Sequence, residues 1–186
     1  MHRRRFLAAT AATAAAASIP AVAQSFELNP IFKPQEVRIK NGVPAGQILV
    51  MPKAHFLYFV TGENKALRYG VGVGKAGLEF QGDAVIQAKK EWPTWRPTNE
   101  MIEREPRTYA RFVGNTDAQP GGPNNPLGAR ALYLFKDGRD TYFRIHGTTQ
   151  PSSIGRSVSN GCIRMINDHV KDLYKRVPLG TVVTVI

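Results

Sequence analysis

What this 186-residue sequence has little of narrows its chemistry first. It holds one cysteine, which excludes an intramolecular disulfide framework and any zinc site built from several thiolates. Acidic residues number 14 against 25 lysines and arginines, for a formal charge of +11. Such an excess fits an anionic partner or surface without naming it. With 42% hydrophobic and 21% charged residues, the chain is neither a disordered tail nor a multi-span membrane protein. No metal-ligand spacing joins His55 and His169, so both read as structural, and neither a metal nor a cofactor is expected. Gly70-Val71-Gly72-Val73-Gly74 lacks the Lys-Ser or Lys-Thr pair and following helix of a phosphate loop, and reads as strand and turn. Nucleic-acid binding would suit the charge, but no recognition motif is present.

The amino terminus accounts for part of that charge. Arg3-Arg4-Arg5 precedes an apolar run from Phe6 to Ala17, and Ala21-Val22-Ala23 forms a small-x-small site before Gln24. These are the three regions of a secretory signal peptide over residues 1–23, too short for a comfortable membrane span. Arg3-Arg4-Arg5-Phe6-Leu7 also resembles a twin-arginine address, with an ordinary Sec leader as the alternative. Removal leaves 163 residues carrying a charge of about +8 and no stable membrane span, destined for a bacterial periplasm or cell wall. In that oxidising setting Cys162 has no partner in its own chain, so it is buried and inert, linked to another molecule, or retained for chemistry.

Residues 24–46, with Pro30, Pro34 and Pro44, read as an extended lead-in, and residues 47–186 as one domain without repeats. Short β-type runs follow at 47–51, 55–60, 66–73 and 84–92, separated by turn residues. From Pro93 to Gly128 prolines and glycines break the pattern, with one possible helical turn at 99–105; so long a loop in a compact domain is usually functional. Trp92, Trp95 and Tyr109 either line a groove there or anchor the loop, and anchoring is preferred. The runs 131–135 and 141–146 around Lys136-Asp137-Gly138 form a hairpin signal. Val170, Leu173, Tyr174 and Val177 recur at helical spacing in 167–177, where Asn167 or Asp168 can cap the start, and 181–186 is a closing strand. The expected class is therefore mostly β with one packed helix.

The chemistry concentrates between His146, at a strand end, and Cys162, after a Ser159-Asn160-Gly161 turn. A thiol of pKa about 8.5 is only about 3% thiolate at pH 7, so a nucleophilic cysteine needs a base or cation beside it. An imidazole can take that proton and return it to a leaving amine. The N–H groups of Gly161 and Cys162 are candidates for an oxyanion site. Spacing alone leaves the pair open, since many proteins place a histidine 16 residues before a cysteine.

The stretch His146, Ser159, Asn160, Gly161, Cys162, Ile163 and Arg164 resembles the signature of the L,D-transpeptidase (YkuD-type) catalytic domain of bacterial cell-wall enzymes. Asn125-Pro126-Leu127-Gly128, His146-Gly147-Thr148, Ser153-Ile154-Gly155 and Met165 add to the likeness, which covers residues 47–186. The resemblance implies a mixed β-sandwich or barrel-like fold with a lid. It also implies acyl transfer from a peptidoglycan stem tetrapeptide, with loss of the terminal D-alanine, to an amine acceptor. That acceptor would be a second stem, an outer-membrane protein terminus or a lysine, and water would make the enzyme a carboxypeptidase. Cys162 would be the nucleophile, His146 the base and acid, and Gly147 the carbonyl that orients the imidazole. Ser159, Asn160 and Arg164 are candidates for substrate binding, Arg164 alternatively bracing the turn. Carbapenem sensitivity would follow. Asn160 stands where the family often has histidine; an amide hydrogen-bonds but does not titrate. Other readings fit less well: a sortase-like enzyme by its spacing, a cysteine peptidase by its Cys-before-His order, and a binding domain with a dead thiol by the intact motif.

Overall fold

The computed structural model describes residues 26–40 and 42–186; the leader expected over residues 1–23 lies outside them. Among these residues, eleven strands and two α-helices build the domain. The strands are β1 (Gln35–Arg38), β2 (Ile48–Met51), β3 (Phe56–Gly62), β4 (Lys65–Gly70), β5 (Val73–Gly74), β6 (Gly82–Glu91), β7 (Arg130–Lys136), β8 (Arg139–His146), β9 (Ser157–Ser159), β10 (Ile163–Arg164) and β11 (Val182–Val185). The helices are α1 (Asn99–Arg104) and α2 (Asn167–Arg176). Nine strands form one sheet in the order β1-β4-β3-β2-β11-β6-β7-β8-β10, and β5 pairs with β9 in a second, two-stranded one. That order has two ends, so the sheet is not a closed barrel. A single bridge between Arg164 of β10 and Gly72, two residues past β4, nevertheless ties the β10 edge to the chain that leaves β4. A β-carbon on Gly72 would stand 2.5 Å from the Ser153 carbonyl oxygen, so only glycine lets the chain pass there.

The meander follows from the alternation. Ile48, Val50, Leu57 and Phe59 are buried, as are Ala84 and Ile86 of β6 and Val183 and Val185 of β11. His55, in left-handed backbone after a single 3-10 turn at Pro52–Ala54, makes the β2–β3 corner. Asp137 and Gly138, both at positive φ, close the β7–β8 hairpin. The lead-in is less loose than expected: β1 lies antiparallel to β4, with Gln35 opposite Arg68 and Arg38 opposite Lys65. Strands β9 and β10 lie where no strand is expected from the sequence, being too short to show alternation.

Helix α2 packs across β7 and β8, burying Val170 and Leu173, with Val177 just beyond its end. Each such side chain contributes about 1.5–3 kcal/mol on burial. The fully buried Tyr69 of β4 donates to Asp172 at 2.5 Å and so ties helix to sheet. Neither Asn167 nor Asp168 caps the helix: Ile166 is the cap residue, without a side-chain bond, and Asn167 is the first helical residue. No helix among the described residues is long and apolar enough to cross a membrane.

Candidate active site

Two strands present the key pair. β10 runs parallel to β8 with Ile163 opposite Ile145 and Arg164 opposite His146, and the Met165 N–H donates to the His146 carbonyl at 2.8 Å. Cys162 stands one residue before β10, the edge strand that lies beside β8 and its terminal His146. Both side chains line one cavity of about 660 Å³, together with Ser159, Asn160 and Arg164.

His146 is buried, and its Nδ1 meets the Gly147 carbonyl oxygen at 2.5 Å. A carbonyl can only accept, so Nδ1 carries the proton and Nε2 is left as the acceptor. Burial, helped by the Arg164 guanidinium, lowers the pKa of this imidazole to about 4. The Cys162 thiol, though the residue keeps partial access to solvent, is pushed up by burial. The resting pair is thus neutral thiol and neutral imidazole, not an ion pair. The thiol itself rests 3.7 Å from the Tyr142 carbonyl.

Tyr142 is a residue that sequence reasoning passed over. Tyr133 faces Arg144 and Phe135 faces Asp140, so β8 carries a bulge between them, and Tyr142 sits in it at φ 61°. Side chains hold the bulge: Thr141 Oγ1 donates to the Leu134 carbonyl, the Tyr142 N–H donates to Asp140, and Arg144 grips Asp140 with two bonds of 2.7 Å. No periodicity announces such a kink.

The turn before Cys162 is internally bonded. Ser159 Oγ donates to the Cys162 carbonyl at 2.6 Å and accepts the Gly161 N–H at 3.1 Å. Ser159 therefore shapes the turn, and the Gly161 N–H expected for an oxyanion is already engaged. The Cys162 N–H has no acceptor among the described residues. Gly161, at φ 120°, has no room for a side chain: a β-carbon would lie 2.5 Å from both the Leu78 carbonyl oxygen and the Phe143 ring.

Asn160 reaches the other way. Its Oδ1 accepts from Arg104 at 2.9 Å and its Nδ2 donates to the Tyr109 hydroxyl at 3.3 Å. Arg104 ends α1 inside the 93–128 loop, so the amide joins the cysteine turn to that loop. Arg164 donates one bond to Gln150 at 3.2 Å and is half-buried against the cavity. Trp95 and Tyr109 both line the cavity and pack together with Phe112 as the loop's own core, so lining and anchoring coincide. Trp92 is largely exposed and does not line it.

Asn167 also went unread in this role. Its Oδ1 accepts from the Ala129 and Thr148 N–H groups and its Nδ2 donates to the Thr148 carbonyl. It thereby fastens the Gly147-Thr148 backbone to the start of α2. Nothing in the spacing from Thr148 to Asn167 signals this.

Comparison with known proteins places the geometry. The L,D-transpeptidase catalytic domain family (YkuD) matches residues 45–185. The chain is 46% identical over 147 residues to the putative L,D-transpeptidase YkuD of Bacillus subtilis, covering 79% of each protein. It is 35% identical over 156 residues to the probable L,D-transpeptidase ErfK/SrfK of Escherichia coli, covering 82% of this chain and 47% of that one. The chain thus spans about half the length of that curated relative. Among solved structures it is similar to a Brucella melitensis protein described as a probable carnitine operon oxidoreductase, at 57% identity and a TM-score of 0.57, covering 83% of this chain and 93% of that one. A match over most of the chain, on a sheet whose neighbouring strands β8 and β10 bring His146 and Cys162 to one cavity, makes this protein a member of the L,D-transpeptidase catalytic domain family.

Proposed function

We propose that the chain is a cysteine-dependent L,D-transpeptidase acting on peptidoglycan stem peptides. The observation that carries this is the imidazole of His146, whose Nδ1 is taken up by the Gly147 carbonyl so that Nε2 is left as the acceptor, in a residue that lines the same cavity as Cys162. In the first step Cys162 leaves the Tyr142 carbonyl, gives its proton to Nε2 and attacks the carbonyl carbon of the stem's third residue. A neutral pair suits this order, because the charge forms only as the bond forms. The Cys162 N–H would face the oxyanion, while Gly161 acts through the shape of the turn. The C–N bond then breaks, and His146 returns its proton to the departing D-alanine amine.

The resulting thioester passes to an amine, forming an L,D crosslink or attaching a protein, or to water, giving a carboxypeptidase. Arg164 and Arg104 line the cavity without a carboxylate partner among the described residues and suit the acidic stem. Arg104 holds Asn160, which makes that amide a link between substrate wall and nucleophile turn. The leader over residues 1–23 would deliver the domain to the periplasm or cell wall, where this substrate is found.

The test is direct. Protein from Gln24 onward, incubated with disaccharide tetrapeptide, is expected to release D-alanine and carry a thioester on Cys162 in the mass spectrum; a carbapenem is expected to acylate the same residue. Absence of any adduct, or an equal rate for Cys162→Ala, sinks the proposal.

A further inference from the structure

One polar group in the cavity has no part in the scheme above. Glu79, on the loop after β5, lines the cavity, and its Oε2 is buried without a hydrogen-bond partner among the described residues. It joins none of their ion pairs. A buried carboxylate oxygen without a donor is costly, and native chains retain few such atoms. The loop is also firmly seated. A β-carbon on Gly161 would meet the Leu78 carbonyl oxygen at 2.5 Å, and one on Gly74 would meet the Glu79 backbone at 3.2 Å. Glu79 therefore follows directly on a residue packed against the turn that presents Cys162, and one of its carboxylate oxygens is buried beside the cavity that it lines.

The missing partner has to bring an N–H or O–H, and a positive charge would suit it best. Acyl transfer has two substrates. The donor stem offers amides and carboxylates near the thiol. The acceptor is a primary amine, which is an ammonium at neutral pH. We propose that Glu79 is the acceptor subsite: its carboxylate receives the ammonium of the incoming amine and so favours amine over water as the fate of the thioester. This rests on the acyl-transfer reading and names the residue that gives it a transferase outcome. The step balances. The bound ammonium releases one proton to solvent, and its nitrogen attacks the thioester carbon. The C–N bond forms as the C–S bond breaks. A second proton passes from that nitrogen through His146 to the departing thiolate, restoring the Cys162 thiol.

The experiment follows partitioning. A tetrapeptide donor whose own free amine is acetylated is supplied with glycinamide, largely an ammonium at pH 7, or with hydroxylamine, which is neutral there. Products of transfer and of hydrolysis are counted by mass spectrometry. Glu79→Gln is expected to form the Cys162 thioester at the wild-type rate, to lose about tenfold in glycinamide transfer relative to hydrolysis, and to keep its hydroxylamine transfer. Glu79→Asp, which keeps the charge on a shorter stem, recovers part of the loss. Unchanged partitioning, an equal fall for hydroxylamine, or wild-type protein that transfers to neither amine overturns the subsite. If Glu79→Gln does not fold, the same contrast between the two amines is read from Glu79→Asp. Wild-type protein that forms no thioester at all overturns the acyl-transfer reading itself, an outcome distinct from a thioester whose partitioning ignores Glu79.

Discussion

The two walls of the cavity are held by different means. On the sheet side, main-chain bonds do the holding: Gly72 and Arg164 exchange two, Met165 donates to His146, and Gly147 donates to Arg130, all between 2.8 and 3.0 Å. On the loop side, 36 residues carry a six-residue helix, one bridge between Trp95 and Gln119, and a set of side-chain ties. Arg96 reaches the carbonyls of Pro97, Phe112 and Asn115, and buried Asn125 bonds those of Gln119 and Pro120. A wall made of backbone ladder keeps reacting atoms in register. A wall made of side-chain ties gives way locally and can admit a polymer. If that contrast is right, perturbing the sheet side costs stability and turnover together, while perturbing the loop side costs mainly substrate affinity.

The largest expected effect tests the sheet side through pH. His146 titrates near 4 when folded and near 6.5 when unfolded. Between those values the unfolded chain binds more protons, so stability is full above pH 6.5 and falls as pH drops towards 4. Integrated, the loss is about 3 kcal/mol. Urea unfolding at pH 7 and pH 4 is expected to show this much extra loss for the wild type over His146→Gln. Parallel pH profiles for the two proteins would mean that burial does not hold the imidazole neutral.

Next comes Asn167→Ala. It strips partners from the N–H groups of Ala129 and Thr148, both buried, and from the Thr148 carbonyl. A cost of about 2 kcal/mol is expected from the unpaired groups. Turnover should fall as well, because the Gly147 carbonyl that orients His146 precedes the freed Thr148. A variant with lowered melting temperature and unchanged kcat would separate the fastening from the orientation and weaken the comparison.

Legibility in the sequence followed the same division. Strands β2, β3, β6, β7 and β8 and helix α2 showed themselves because each is long enough for its period to register. His146 and Cys162 showed themselves because the motif that carries them is nearly continuous in sequence. What stayed hidden depends on contacts between distant segments. Asn167 reaches a loop 19 residues earlier, Arg104 reaches Asn160 across 56 positions, and Glu79 lines the same cavity as the distant His146 and Cys162. The engagement of the Gly161 N–H stayed hidden too, because the sequence does not show that the Ser159 hydroxyl folds back onto it. Strand β10, two residues long, has no pattern of its own and exists because β8 and Gly72 flank it.

The smallest effect is the most discriminating. Arg104→Ala removes the donor to Asn160 and the cation at the end of α1. Arg104 is exposed and forms no ion pair among the described residues, so its loss should leave the melting temperature nearly unchanged. The KM for the stem tetrapeptide is expected to rise by no more than about fivefold, with kcat preserved. Raising the ionic strength should shrink the difference from wild type, since exposed charge is screened over about 10 Å at 0.1 M salt. A fall in kcat at constant KM would be informative in the opposite sense: it would mean that the loop, through Asn160, helps set the position of Cys162, and that the two walls work as one.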